Sequence, residues 1–113
     1  EYARARRAQT ILTRRLTSLL DEYDLIVTLT TPLTAPTLEA GAELDAARLY
    51  LSSFTAPFNM AGLPAISIPC GFTPAGLPVG LQLVGKHWAE AAVLRAALAY
   101  ESVTEWHTRR PVM

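Results

Sequence analysis

Hydrophobic and polar positions change their period several times along this chain. Apolar side chains stand at Ala8, Ile11, Leu12, Leu16, Leu19, Leu20 and Tyr23, the three-and-four spacing of one helix face. Arg4, Arg7, Arg14, Arg15 and Asp21 fall on the other faces, so the pattern predicts an amphipathic helix from residue 3 to about 22. The run Asp24 to Leu29, DLIVTL, is β-branched and apolar without alternation, which predicts a short strand buried on both faces. Residues 30–43 contain Pro32, Pro36 and four threonines and read as an irregular connection, because proline fixes φ and removes a donor. Short helical turns are expected from Leu44 to about Phe54. Ala65–Pro69 and Val79–Gly85 predict two further strands, with the Gly/Pro-rich CGFTPAGLP segment as the loop between them. Residues 88 to about 104 predict a last amphipathic helix, with Val93, Leu94, Ala97, Leu98 and Tyr100 as its core face.

The order helix, strand, irregular segment, strand, strand, helix belongs to an α/β layer arrangement. The chain has 113 residues, half of them hydrophobic, enough for one domain that buries roughly two-thirds of its unfolded surface. Ten basic and ten acidic residues give a formal net charge of zero. No one-sign field results, so neither nucleic acid nor an anionic membrane is an expected partner. Nine of the ten basic residues are arginine, which reads first as coding bias. The single cysteine excludes an internal disulfide framework and fits a reducing, cytoplasmic setting. No apolar run reaches the ~18 residues of a membrane-spanning helix. The chain opens Glu1-Tyr2-Ala3-Arg4, without Met and inside a helical pattern, which predicts a piece of a longer protein.

Candidate chemistry is sparse. Cys70, between Pro69 and Gly71, would need a lowered pKa to act as a nucleophile; His87 could serve as its base and Asp24 or Asp45 could orient the imidazole. No cysteine-hydrolase signature surrounds it, and a small buried side chain is the simpler reading. His87 and His107 are twenty residues apart with no partner at metal-ligand spacing, so no metal site is expected. Ser52-Ser53 lacks the glycine-framed turn that exposes a nucleophilic hydroxyl, and Lys86 stands far along the chain. The glycines form no phosphate cradle, and no cofactor is implied. Asn59, before Ala-Gly-Leu-Pro, is either a residue that ties the loop backbone or part of a substrate-pocket floor.

The run FTAPFNMAGLPAISIPCGFTPAGLPVGLQLVG, Phe54 to Gly85, resembles the C-terminal part of the amidase signature family. The matching positions are Thr55, Pro57, Asn59, Gly62, Pro64, Ser67, Pro69 and Gly71, then Gly76, Leu77, Pro78, Gly80, Gln82 and Gly85. Tyr100-Glu101 and Trp106-His107 fit the family's last helix and the aromatic-His that follows it. Upstream, residues 1–32 look like its helix-then-strand segment.

The resemblance implies that residues 1–113 are the C-terminal part of a single amidase domain with a mixed β-sheet flanked by α-helices. It implies hydrolysis of a carboxamide by a Ser–cis-Ser–Lys triad with a backbone oxyanion hole. That triad lies N-terminal to this chain, so no catalytic residue is assigned here and the chain alone is expected to be inactive. Its partners would be a small-molecule amide and the N-terminal remainder, with a homodimer left open. Thr31, Pro32, Ser52, Phe54 and Asn59 are the expected pocket residues. Glutamyl-tRNA amidotransferase A subunits carry an acidic residue where Ser52 stands. That departure favours a general, aryl or aliphatic amidase over the amidotransferase branch. A non-catalytic module derived from the fold is the third alternative.

Overall fold

A computed structural model of the chain describes residues 1–39 and 49–110. Its elements are α1 (Tyr2–Glu22), β1 (Ile26–Leu29), α2 (Ala56–Ala61), β2 (Ala65–Phe72), β3 (Pro78–Val84) and α3 (Glu90–Ser102), followed by a 3-10 turn at Trp106–Thr108. The strands form one sheet in the order β1-β3-β2, with both pairings antiparallel. The helical turns expected from Leu44 fall largely outside the described residues.

The register explains how the two faces divide. Thr28, Gln82 and Ser67 are opposite one another across the three strands, as are Leu29, Leu81 and Ile68 on the alternate positions. One face carries Ile26, Thr28, Val84, Gln82 and Ser67; the other carries Val27, Leu29, Leu81, Leu83, Ile66 and Ile68. On the first face Leu20 of α1 and Phe58, Ala61 and Leu63 around α2 close over Val84, with Leu16 and Ile26 beside them. On the second, Val93 and Ala97 of α3 cover Ile68 and Leu83. Each such large apolar side chain taken out of water stabilises the fold by about 1.5–3 kcal/mol.

The hairpin joining β2 and β3 is tighter than the sequence suggests. β2 continues through Cys70 and Gly71 to Phe72, and only Thr73–Leu77 turns. Thr73 N–H donates to Leu77 O at 2.9 Å, and the Thr73 hydroxyl accepts from Leu77 N–H at 3.1 Å. Cys70 is the extra residue of a β-bulge, since Pro69 pairs with Gly80 and Gly71 already pairs with Val79. The bulge absorbs one residue without ending the strand.

α2 begins after Thr55 with Pro57 in its first turn and ends at Gly62, which adopts a left-handed φ of 69°. Leu63 N–H reaches back to Phe58 O at 3.1 Å and Gly62 N–H to Asn59 O at 3.2 Å. This is a Schellman closure, and it launches Pro64 into β2.

Two expected core assignments are corrected. β1 is covered on one face only: Val27 and Leu29 are 55% and 45% exposed because no described element packs on their side. On α3, Leu94 and Leu98 are 58% and 68% exposed, since the helix rolls Val93, Ala97 and Tyr100 onto the sheet instead. The chain is correspondingly flat. Its principal extents are 48 × 39 × 18 Å and its radius of gyration is 16.2 Å, against about 13 Å for a compact chain of this length. None of the described helices is long and apolar enough to cross a membrane.

Candidate functional site

The polar positions of the first sheet face meet the segment that leads into α2. Gln82 is only 4% exposed. Its Nε2 donates to Thr28 Oγ1 at 2.9 Å and to Phe54 O at 3.0 Å. One amide therefore satisfies a strand hydroxyl and holds the Ser52–Thr55 turn above the sheet. That turn is closed by the Ser52 carbonyl, which accepts from Thr55 N–H at 3.1 Å and Ala56 N–H at 2.8 Å. Beside it, Thr28, Ser53, Phe54, Pro57 and Phe58 line a cavity of about 200 Å³. Further along the face, Thr30 Oγ1 and Ser67 Oγ meet at 2.5 Å.

The five expected pocket residues divide into separate places. Phe54 lines the cavity. Ser52 flanks it, with its hydroxyl donating to Leu49 O at 3.2 Å. Thr31 and Pro32 follow β1, where Thr31 Oγ1 donates to Leu33 O at 2.7 Å. Asn59 lies elsewhere. It lines a groove of about 500 Å³ between α1 and α2, with Arg6, Gln9, Arg14 and Met60. Its side-chain amide forms no hydrogen bond with a described residue, so the loop is tied by backbone contacts and by Gln9 Nε2, which donates to Met60 O at 2.7 Å. Sequence reasoning weighs Ser53 only as a nucleophile and Gln82 only as a motif position. The signal for a structural Gln82 is a polar side chain set between Leu81 and Leu83.

The described residues bring no nucleophile and base together. Cys70 Sγ lies 3.5 Å from Val79 O at the bulge, and burial pushes its thiol pKa up, opposite to what a nucleophile requires. His87 sits at the other end of β3, where a Cβ on Gly62 would lie 3.8 Å from its Cε1. The steps from Val79 to Val84 put about 17 Å of strand between the two side chains. Lys86 is exposed. Among the described residues no group of three His, Cys, Asp or Glu side chains converges to hold a metal ion.

This arrangement has counterparts in known proteins. The glutamyl-tRNA(Gln) amidotransferase A subunit from Moorella thermoacetica is 49% identical over 111 residues, covering 97% of this chain and 22% of that protein. The crystal structure of its counterpart from Thermotoga maritima superimposes with a TM-score of 0.82 at 37% identity, over 92% of this chain and 23% of that one. The 6-aminohexanoate cyclic dimer hydrolase complexed with substrate superimposes with a TM-score of 0.68 at 32% identity, over 79% of this chain and 21% of that one. The chain thus spans about a fifth of the length of the curated relatives it matches. The profile of the Amidase family matches residues 1–94, and the chain belongs to that family.

Proposed function

We propose that this chain is the C-terminal part of a larger amidase, and that its Ser–cis-Ser–Lys triad is carried by the N-terminal remainder of the same protein. The reaction is attack of the activated serine on a carboxamide, loss of ammonia or amine from the tetrahedral adduct, and hydrolysis of the acyl-serine to the carboxylate. The chain's own contribution is one wall of the substrate cleft: the Ser52–Phe54 turn, Thr31-Pro32 at the end of β1, and Asn59 beyond α2. The observation that carries this reading is the family match over residues 1–94. It is joined by the absence, among the described residues, of any nucleophile–base pair. The substrate is a small-molecule amide, the setting cytoplasmic, and no cofactor takes part. Neither nucleic acid nor a membrane is a partner, and a homodimer fits.

A second reading is supported by the names of the relatives, which are amidotransferase A subunits. In that reading glutamine is the ammonia donor. Ser52 separates the two, because a neutral hydroxyl cannot pair with the α-ammonium of glutamine as a carboxylate does. Ammonia release by the natural-length protein from glutamine and from a panel of neutral amides tests the choice. The first reading expects the neutral amides to be preferred, and Ser52→Asp to move the preference toward glutamine. A wild-type preference for glutamine establishes the second.

A further inference from the structure

The arginines of α1 are distributed in a way the proposed hydrolysis does not use. Between Tyr2 and Leu20 there are five arginines and no acidic residue, whereas the rest of the chain carries ten acidic and five basic residues. Arg4, Arg6, Arg7, Arg14 and Arg15 are all exposed. None has an ion-pair partner among the described residues.

Two of them border a built groove. Arg6 and Arg14 line the space of about 500 Å³ between α1 and α2, with Gln9, Asn59 and Met60. The groove wall is fixed by a relay: Arg6 Nη1 donates to Gln9 Oε1 at 2.9 Å, and Gln9 Nε2 donates to Met60 O at 2.7 Å. Thr10 and Thr13 spend their hydroxyl protons on the carbonyls of Arg6 and Gln9. The donors left for a ligand are the two guanidinium groups and the Asn59 amide. Eight residues of helix separate the arginines by about 12 Å. That is too far for one small anion to engage both without folding the side chains inward, but a natural span for successive carboxylates on an extended chain.

We infer that the α1–α2 groove docks an extended acidic polypeptide segment of a partner protein, its carboxylates on Arg6 and Arg14 and its backbone on Asn59. A nucleic acid strand fits less well. No aromatic side chain lines the groove to stack a base, and the acidic excess of the rest of the chain repels a long polyanion.

The test is fluorescence anisotropy of a labelled octaglutamate peptide on the natural-length protein at about 50 mM salt. Arg14→Glu and Arg15→Glu make the same charge change at adjacent positions, and only Arg14 lines the groove. The expected result is binding that Arg14→Glu weakens at least about tenfold while Arg15→Glu leaves it within about twofold. If Arg14→Glu melts early, Arg14→Gln is read in its place. No peptide binding overturns the proposal. Equal losses at the two positions overturn the groove in favour of diffuse charge. Tighter binding of a thymidine oligonucleotide that shares the Arg14 dependence replaces the acidic segment with nucleic acid, and salt-reversible self-association without peptide binding replaces it with a second copy.

Discussion

Thr30 Oγ1 and Ser67 Oγ meet at 2.5 Å directly over Gly80, so the two outer strands are joined across the central one. The contact exists because residue 80 has no side chain. A Cβ there would stand 2.7 Å from the Thr30 hydroxyl and 2.9 Å from that of Ser67.

Gly80→Ala is therefore expected to destabilise the protein by about 1–3 kcal/mol through overpacking. Thermal melts of the natural-length protein check it. Removing both hydroxyls, by Thr30→Ala with Ser67→Ala, should recover part of the loss by clearing the space.

Gln82→Leu fills a similar volume but strands a buried acceptor, because Phe54 O loses the amide that satisfies it. An unsatisfied buried group costs about 1–3 kcal/mol. The Ser52–Phe54 turn loosens as well, so KM for the amide should rise more than kcat falls. A change confined to kcat contradicts the cleft-wall role.

Burial raises the Cys70 pKa in the folded state. Below the unfolded value the thiol is protonated in both states and this contribution to stability is fully present. It is lost as pH rises through the folded value. Stability of the wild type should thus decline from pH about 8.5 upward more steeply than that of Cys70→Ala. Iodoacetamide should label the native thiol more slowly than free cysteine at pH about 8.

Arg109 ties the C-terminal turn to the end of β2. Its Cζ lies 5.3 Å from the Phe72 ring centroid and 5.1 Å from that of Trp106, and the two rings are 6.2 Å apart. Arg109→Ala should cost about 0.5–1 kcal/mol for each cation–π contact. In a Trp88→Phe background, which removes the exposed indole, it should shift Trp106 emission to the red.

Much of the fold was legible because local chemistry and tertiary environment agreed. The three-and-four spacing gave α1 from Tyr2 to Glu22, and the Gly62-Leu63-Pro64 turn led into β2 as expected. Local pattern failed where burial depends on neighbours. The unbroken run Leu25 to Leu29 looked two-sided, yet only one face has cover among the described elements. Leu94 and Leu98 looked like core for the same reason, since the spacing on α3 does not say which arc meets the sheet. At the site, Ser52 and Phe54 stand out only through the family resemblance. The bridging role of Gln82 was hidden, because its reach to Thr28 and Phe54, 54 and 28 residues away, has no local signature. Cys70 read as a strand end because Pro and Gly flank it, whereas the bulge lets the strand pass through.

The central claim is that this chain shapes the substrate cleft while the nucleophile lies elsewhere in the protein. A fluorophosphonate, which phosphonylates activated serines, applied to the natural-length protein and followed by peptide mass mapping, tests it most directly. The predicted result is one labelled serine, in a peptide N-terminal to Glu1, and no label on residues 1–113. Label on Ser52, Ser53 or Ser67, lost when that residue is changed to alanine, would contradict it.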